Sequence, residues 1–428
     1  MTSSEVIGLA PASTDDRACL PHVRPVMQRF EASRVDGARD AVRDELADPA
    51  IRSRVEPGRS VAIGVGSRGI ADYPQVVAAL VEALREWGAE PFVVPAMGSH
   101  GGGTADGQLA VLTQNGITED TVGAPIRASM EVVLLGRLAD GTAVYMDALA
   151  HRADGIVVVN RIKPHTLFRG TVESGLSKLL VAGLGNAEGV RALHRSPSPL
   201  GEIIASGVEL VTNEAPFLFG LALLENGYGE LAHVEAIAAE RLLAREPELL
   251  SRSRELLPSL FFDELDVLVL EHIGKDISGQ GLDPNVTGRN ARSIAVGQGP
   301  DIDKIVALGL SPKAHGNAAG MGQLDVVSAD LFRQIDFAAT YANVITATLP
   351  DLGALPLVAK TRVDAVAIAI QTARRRTARD VRLVVAKSTK ELQTIWVSTA
   401  LHAHVDRHPD LEFSGPQRPL ANGDALAL

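Results

Sequence analysis

Hydrophobic runs of strand length alternate along this chain with longer segments that have the hydrophobic period of a helix. An apolar run at Ser60–Val65 precedes a helix-period segment at 75–87, and a second run at 91–95 precedes another such segment at 106–114. This alternation is typical of a largely parallel sheet with helices packed on it. The N-terminal part of the chain is therefore predicted to have an α/β fold.

The same pattern continues to the C-terminal part and divides the chain. Further strands are predicted at 131–135, 143–146, 156–159 and 217–224, a helix at 234–255, and later strands at 267–271, 303–308 and 381–385. A charged helical stretch and Pro258 separate the two sets of strands. We predict two α/β domains with mostly parallel sheets, at 1–261 and 262–405, an irregular tail at 406–428, and an active-site cleft between the domains.

Composition and charge narrow the classes of partner. The 428 residues are 46% hydrophobic and 22% charged, with a formal net charge of −11, so nucleic acid and anionic membrane surfaces are disfavoured partners. The first 30 residues contain no apolar run typical of a secretory signal, and no stretch reaches the length of a membrane helix. We expect a cytoplasmic protein. The single cysteine, Cys19, leaves any metal to histidine, carboxylate or a cofactor.

A glycine-rich turn follows the first predicted strand. Residues 64–69 read Gly-Val-Gly-Ser-Arg-Gly, which matches the dinucleotide-binding pattern in form. The next strand, however, lacks the acidic residue that would hold a nicotinamide ribose. Three interpretations stay open: a tight turn without a ligand, an anion site that uses Arg68, and an NAD site. Arg68 is notable because guanidinium binds carboxylate through two parallel hydrogen bonds.

Histidines and lysines cluster after the next buried strands. His100 lies among glycines at 98–103, a setting that suits a general base or metal ligand, although a loop histidine before a helix would look the same. His165 and Lys178 follow the strand at 156–159, and His194 lies farther on. Desolvation beside apolar residues would make Lys178 a nucleophile. The alternatives are that Lys178 is an exposed lysine in the first turn of a helix and that His194 is a histidine at a helix end.

These segments together resemble the nickel-dependent lactate racemase family. The matching motifs are Gly-Ser-His-Gly-Gly-x-Thr at 98–104, Lys-Pro-His-Thr at 163–166, Ser-Gly-Leu-Ser-Lys-Leu-Leu at 174–180, and His194, 16 residues beyond Lys178. The resemblance implies a nickel-pincer nucleotide, pyridinium-3,5-bisthiocarboxylic acid mononucleotide with Ni(II), attached to Lys178 through a thioamide. It implies His194 as the protein ligand to nickel and His100 and His165 as paired acid–base groups.

The resemblance also implies a reaction and further contacts. The C2 hydride of a 2-hydroxy acid would pass to the cofactor and return to the opposite face, so the protein would be a racemase or epimerase that depends on cofactor-synthesis enzymes. Ser67, Arg68 and Ser174 are expected to contact the cofactor, and Arg68, Lys275 and Gln280 the substrate. Two other functions stay open: an NAD-dependent oxidoreductase, and a non-catalytic protein that binds or stores the nucleotide.

The C-terminal part departs from the lactate racemase pattern. Lys275-Asp276-Ile277 matches the family segment, but the residues that follow lack its tyrosine–glutamine and lysine pattern. Replacement candidates are Gln280, Asn285, Thr287 and Arg289. A polar loop at 313–325 is either a lid or a structural loop. The basic run at 374–376 is expected at a solvated helix end.

Overall fold

The computed structural model describes residues 20–290 and 299–420. Sixteen strands are present in these ranges. They are β1 His22–Gln28, β2 Ser60–Val65, β3 Glu90–Pro95, β4 Val132–Arg137, β5 Ala143–Asp147, β6 Gly155–Arg161, β7 Phe217–Glu225, β8 Leu231–Ala238, β9 Glu264–Ile273, β10 Asp301–Leu310, β11 Val326–Ser328, β12 Leu357–Ala359, β13 Leu383–Ala386, β14 Thr394–Ser398, β15 Leu411–Phe413 and β16 Arg418–Pro419.

Helices occupy most of the connections between these strands. They are α1 Ala38–Leu46, α2 Pro49–Arg52, α3 Tyr73–Glu86, α4 Ala105–Gln114, α5 Glu119–Val122, α6 Ala148–Arg152, α7 Leu176–Lys178, α8 Asn186–His194, α9 Leu200–Glu214, α10 Leu242–Leu256, α11 Pro284–Thr287, α12 Ala329–Arg333, α13 Phe337–Thr346, α14 Arg362–Thr372 and α15 His402–Val405. A single π-helical turn, Leu179–Gly183, follows α7. Within the described residues, no helix has both the length and the apolar character needed to cross a membrane.

The unit Glu31–Leu257 contains one five-stranded sheet in the order β3-β2-β6-β7-β8. The first four strands are parallel, and β8 is antiparallel to β7. The central strands are buried on both faces, as expected when helices cover both sides of a parallel sheet. Strands β4 and β5 form a separate antiparallel pair. The predicted α/β class is confirmed.

The predicted helix at 234–255 is wrong in its first part. Residues Leu231–Ala238 form β8, which pairs with β7, and the helix α10 begins only at Leu242. The turn between the strands uses Gly229 at a φ of 76°, and Asn226 accepts backbone hydrogen bonds from Tyr228 and Glu230. Hydrogen bonding to the edge of β7 outweighs the local helix preference of an alanine-rich segment.

The second unit comprises the described residues up to Phe30 together with those from Pro258 onward. Its sheet has the order β12-β11-β10-β9-β13-β14-β1-β15, and β16 also pairs with β1. The strands β12, β11, β10, β9 and β13 are parallel, whereas β14, β1 and β15 pair in antiparallel fashion. This division differs from the predicted limits, because β1 lies at the N-terminus of the chain but belongs to the second sheet.

The predicted irregular tail at 406–428 is wrong for two short segments. Leu411–Phe413 pairs with Val26–Gln28, and Arg418–Pro419 pairs with the start of β1. Neither segment has a strand-like hydrophobic alternation of its own. Their conformation depends on the free edge of β1, which a reading of local pattern does not reveal.

Candidate active site

Three loops leave the same edge of the five-stranded sheet. Val65 at the end of β2 is aligned with Pro95 of β3 and with Val159 of β6. The chain segments that follow these strands are therefore neighbours. The carboxyl edge of a parallel sheet is where open α/β folds bind ligands, and all the site residues predicted in this unit lie on these loops or on the helices that follow them.

The first loop is fastened by a buried tyrosine. Gly66 N donates to Tyr73 Oη at 3.0 Å, and Tyr73 Oη donates to Val159 O at 2.9 Å, which ties the turn to β6. Ser67 O accepts from Asn115 Nδ2, and the side chain of Arg68 is exposed. The helix α3 begins at Tyr73, not at Gly69. The glycine pattern therefore does not lead directly into a helix N-terminus, which is the geometry that a dinucleotide pyrophosphate requires.

In the second loop, His100 precedes three residues whose backbone conformation favours glycine. Gly101, Gly102 and Gly103 all have positive φ, and a Cβ on Gly101 would lie 2.4 Å from a backbone carbon of Gly107. The exposed His100 ring has its Nδ1 2.7 Å from Met97 O. Since a carbonyl only accepts, Nδ1 carries a proton, and in the neutral imidazole Nε2 then has the lone pair.

The second loop also packs against the segment that follows Lys178. Gly98 N donates to Gly183 O at 3.0 Å, at the end of the π-helical turn. A Cβ on Gly98 would lie 2.6 Å from the side chain of Val190 in α8, the helix that ends at His194. The His100 loop is thus in close backbone contact with the elements that carry Lys178 and His194.

The third loop holds His165 through a fully buried carboxylate. A backbone bridge between Lys163 and Ser174 closes the loop. Inside it, Glu173, with no exposed surface, accepts from His165 N at 2.6 Å and from Arg254 of α10 at 2.7 Å. These two hydrogen bonds hold the backbone of His165 against a buried carboxyl group that is itself bound to α10.

His165 and Lys178 are in direct contact. Lys178 Nζ lies 2.6 Å from His165 Nε2, while His165 Nδ1 accepts from Leu167 N at 3.1 Å. The Phe168 ring packs against the imidazole at a centroid distance of 4.3 Å. Both side chains are partly buried. The structure thus brings together two of the predicted site residues and orients the imidazole from both of its nitrogens.

A second buried carboxyl group holds the segment that carries Lys178. Glu246 of α10 accepts from Ser177 N at 2.9 Å and from Ser177 Oγ at 2.6 Å, and its side chain is fully buried. A Cβ on Gly175 would lie 2.0 Å from Glu246 Oε1, so glycine is required there. Burial raises the pKa of Glu246 to about 7, against the opposing effect of the Ser177 hydrogen bonds.

The charges around the pair are mainly positive. Burial, followed by the charges of Lys178, Lys163, Arg169 and Arg68, lowers the pKa of His165 well below its ordinary value. Burial and the charge of Arg68 lower the pKa of Lys178 to about 8. Such a set disfavours the protonated forms of both groups and favours binding of an anion.

His194 ends α8, which is set in place by a buried polar pair. Asn186 begins this helix at a φ of 49° and donates to Asp147 Oδ2 at 2.9 Å. Desolvation, with the charge of Lys178 as the second cause, lowers the pKa of His194. A neutral imidazole is the form that binds a metal. Among residues 20–290 and 299–420, no group of three or more His, Cys, Asp or Glu side chains is arranged to hold a metal ion.

The candidate substrate residues of the other unit have partners within that unit. Lys275 Nζ donates to Gly279 O at 2.7 Å, and Gln280 is only 2% exposed. Arg289 pairs with Asp325 and donates to the carbonyls of Ile302 and Asp303. The guanidinium of Arg289 is thus used to hold its own loop, whereas the substrate roles of Lys275 and Gln280 stay predictions.

The loop at 313–325 makes several contacts of its own. Asn317 Oδ1 accepts from Ala319 N, Gln323 Nε2 donates to Gln280 O, and His315 adopts a left-handed conformation. These contacts fit the structural interpretation of this loop.

Comparison with known proteins identifies the N-terminal part of the chain. Residues 16–200 match the lactate racemase N-terminal domain family. Over these residues, which make up less than half of the chain, the protein is similar to a lactate racemase N-terminal domain. The resemblance stated from the motifs is thereby confirmed for the region that contains His100, His165, Lys178 and His194.

The fold is similar to that of a solved lactate racemase. The apoprotein from Thermoanaerobacterium thermosaccharolyticum aligns with a TM-score of 0.51 at 14% sequence identity, over 90% of this chain and 96% of that chain. At this identity the likeness establishes the fold. No curated relative matches the chain.

Sequence reasoning missed the residues that support the candidate site. Tyr73 fastens the first loop, and Glu173 and Glu246 fasten the third loop and the segment that carries Lys178, yet none belongs to a motif that carries chemistry. One signal was available for Glu246. It lies between Leu242 and Leu249 on the apolar face of α10, and a carboxyl group at a core position needs a buried partner.

Proposed function

We propose that this protein is a racemase or epimerase of a 2-hydroxy acid that uses a nickel-pincer nucleotide held by Lys178 and His194. The observation that carries the proposal is the contact of 2.6 Å between Lys178 Nζ and His165 Nε2, within a cluster of positive charges. A partly buried amine with a lowered pKa is suited to covalent attachment. The match of residues 16–200 to the lactate racemase domain supports the same assignment.

The residues present fit a group that brings most of its own metal ligands. His194 supplies one imidazole near Lys178, and the described residues offer no metal cluster of three protein ligands. Imidazole suits Ni(II), and the remaining donors would come from the sulfur and carbon atoms of the pincer. Arg68, Ser67 and Ser174 would bind the anionic parts of the nucleotide or the substrate carboxylate.

The cofactor, when bound, would supply the acceptor for the C2 hydrogen of the substrate as hydride. The chain itself would move the hydroxyl proton. His100 presents an Nε2 lone pair because its Nδ1 faces Met97 O, whereas His165 presents an Nε2–H because its Nδ1 accepts from Leu167 N. One histidine is therefore set to accept a proton and the other to donate one, as inversion between two enantiomers requires.

The test is production of the chain together with the cofactor-synthesis enzymes, followed by intact-mass analysis, nickel analysis and assay against a panel of chiral 2-hydroxy acids. We expect an added mass on the peptide that contains Lys178, bound nickel, and interconversion of at least one pair of isomers. Cofactor bound without turnover across the panel would instead favour a storage protein. A bound nicotinamide nucleotide would favour the oxidoreductase.

The origin of the C2 hydrogen in the product distinguishes hydride transfer from proton transfer. A C2 proton taken by histidine would exchange with water, whereas a hydride would not. We expect substrate deuterated at C2 to react more slowly and to keep its label after inversion. Rapid entry of solvent deuterium at C2 would contradict the proposed mechanism even if racemisation occurred.

A further inference from the structure

We propose that His165 holds Lys178 in its neutral, nucleophilic form before any group is attached, so that His165 is a positioning residue for the attachment step. The proposal rests on the proposed function in taking Lys178 as the attachment point. The state of the amine, however, is a property of this chain alone and can be measured without a cofactor.

The tautomer of His165 is set by a backbone amide. Leu167 N–H donates to Nδ1 at 3.1 Å, so Nδ1 carries a lone pair, and in a neutral imidazole the proton is then on Nε2. Nε2 therefore donates to Lys178 Nζ across the 2.6 Å contact. An ammonium group has no lone pair to accept this hydrogen bond. The observed arrangement consequently requires a neutral amine on Lys178.

Protonation of Lys178 would have to break this arrangement. An ammonium group at the same position could only donate, so Nε2 would have to carry a lone pair. The imidazole proton would then be on Nδ1, where it would face the N–H of Leu167. Arg68 from the first loop acts on both members of the pair, and Lys163 and Arg169 act on His165. The buried carboxyl group of Glu173 lies on the His165 side, where it accepts from the backbone N–H of His165 and pairs with Arg169 and Arg254. The charge of Arg68 adds to the cost of a charge on Lys178.

The two partners are held from opposite ends by buried carboxyl groups. Glu173 accepts from His165 N, and Glu246 accepts from the backbone and hydroxyl of Ser177, next to Lys178. Each carboxyl group is engaged with the backbone beside the pair. Glu173 and Glu246 therefore limit the movement of imidazole and amine apart, which keeps the contact preorganised.

The neutral amine is the form that attachment consumes. In a condensation with a thiocarboxylic acid, the bond from Nζ to the acyl carbon forms and the carbon–oxygen bond breaks. One amine hydrogen leaves with the hydroxyl as water, the sulfur stays on the carbon, and nothing is oxidised or reduced. The thioamide nitrogen no longer accepts a hydrogen bond, because its lone pair is delocalised. Attachment therefore frees the Nε2–H of His165 to donate elsewhere.

Competitive acetylation of the full chain, produced without cofactor-synthesis enzymes, tests the proposal. Limiting acetic anhydride between pH 6 and 10, followed by peptide mass spectrometry, gives the pH profile of each lysine. The exposed Lys313, Lys360 and Lys390 serve as references in the same molecules. We expect a midpoint near pH 8 for Lys178, against about 10.4 for an ordinary lysine. Superimposable profiles for Lys178 and the references would overturn the proposal.

The variant His165→Gln removes the imposed tautomer, because an amide side chain can also accept from an ammonium group. We expect its Lys178 midpoint to rise by about one pH unit, with a roughly 10-fold slower reaction at pH 7. The control is His233→Gln, since His233 lies on β8 beside Glu235. An unchanged Lys178 profile in His165→Gln would contradict the assigned role.

A second measurement needs no variant. Nitrogen-15 spectra of the wild-type histidine rings at pH 7 should show His165 with its proton on Nε2, and a proton on Nδ1 would overturn the proposal. These outcomes are separable from the proposed function. The Lys178 reactivity and the His165 tautomer can be as expected in a protein that binds no nickel. Conversely, a protein that is a nickel-dependent racemase when loaded can have an ordinary Lys178 acetylation profile before loading.

Discussion

Two clusters of basic side chains, one in each unit, differ in what surrounds them. In the C-terminal unit, Arg374 makes two hydrogen bonds of 2.7 Å to Asp301, and Arg375 donates to Asp266 at 2.9 Å. In the N-terminal unit, the charges that act most on His165 are all positive. The first cluster is neutralised by carboxylates and the second concentrates positive charge around two bases.

The difference shows which cluster is structural. The run at 374–376 follows the end of α14, and Arg374 and Arg376 are exposed, as expected of a solvated helix end. Arg374 and Arg375 also pair with carboxylates at the starts of β9 and β10, so they belong to an ion-pair network that connects chain segments. Basic groups that depress the pKa values of neighbouring bases contribute little to stability. They are typical of a functional site.

The largest effect is expected from Lys178→Ala, which removes the proposed attachment point. Interconversion should be abolished, because Lys178, whose Nζ lies 2.6 Å from His165 Nε2, is the amine that we propose to hold the nucleotide. Intact-mass and peptide analysis after co-production should show no added mass. Lys360→Ala, at an exposed position, is the control and should load normally. An added mass on Lys163 or Lys275 would move the attachment point.

His194→Ala should remove the nickel while leaving the nucleotide attached. Cofactor-loaded wild-type protein should contain about one equivalent of nickel per chain, since the imidazole is the one protein ligand that we propose. Metal analysis beside intact-mass analysis separates loss of the metal from loss of the nucleotide. Full nickel occupancy and full activity in this variant would show that the ligand lies elsewhere.

His100→Ala and His165→Ala should each slow interconversion by roughly 10²-fold or more, the usual effect of losing a general acid or base. His100→Ala should load cofactor normally, because its ring faces Met97 O and not Lys178. Rates are measured per loaded chain, with loading taken from intact mass. Near-normal rates in either variant would make that histidine structural.

The buried carboxyl group of Glu246 should make stability depend on pH. Its pKa of about 7 in the folded protein lies above the value of about 4.3 in an unfolded chain. Between these values unfolding releases a proton, so the free energy of unfolding should fall as pH rises, by roughly 4 kcal/mol in total. Urea unfolding at pH 5 and pH 8 measures the change. Glu246→Gln cannot ionise, and an identical pH dependence in this variant would exclude Glu246 as the source.

The smallest effects are expected in the arginine network. Asp266→Ala leaves the backbone N–H of Arg382 without its buried acceptor and should lower the free energy of unfolding by about 2 kcal/mol. Activity should be retained. Arg333→Ala, which breaks an exposed pair with Asp330, is the matched control and should change stability by about 0.5 kcal/mol or less. Equal effects from both substitutions would weaken the distinction between buried and exposed pairs.

Much of this protein could be predicted from local pattern. The central strands β2, β3, β6 and β7 are continuous apolar runs that only a covered parallel sheet accommodates, and their carboxyl ends bring the glycine, histidine and lysine motifs to one edge. Residue types then indicated His100, His165, Lys178 and His194 as candidates, and the resemblance to the lactate racemase family implied a role for each of them.

Tertiary structure alone decided the strand assignment of Leu231–Ala238, the pairing of β1 with the C-terminal strands, and the buried carboxyl groups that hold the site. These features depend on contacts between residues far apart in sequence. A segment pairs at a sheet edge only where the neighbouring strand has backbone groups without hydrogen-bond partners. The pKa values of His165 and Lys178 depend on burial and on charges from other loops. The sequence determined which groups are available, and the fold determined which of them face each other and in which protonation state.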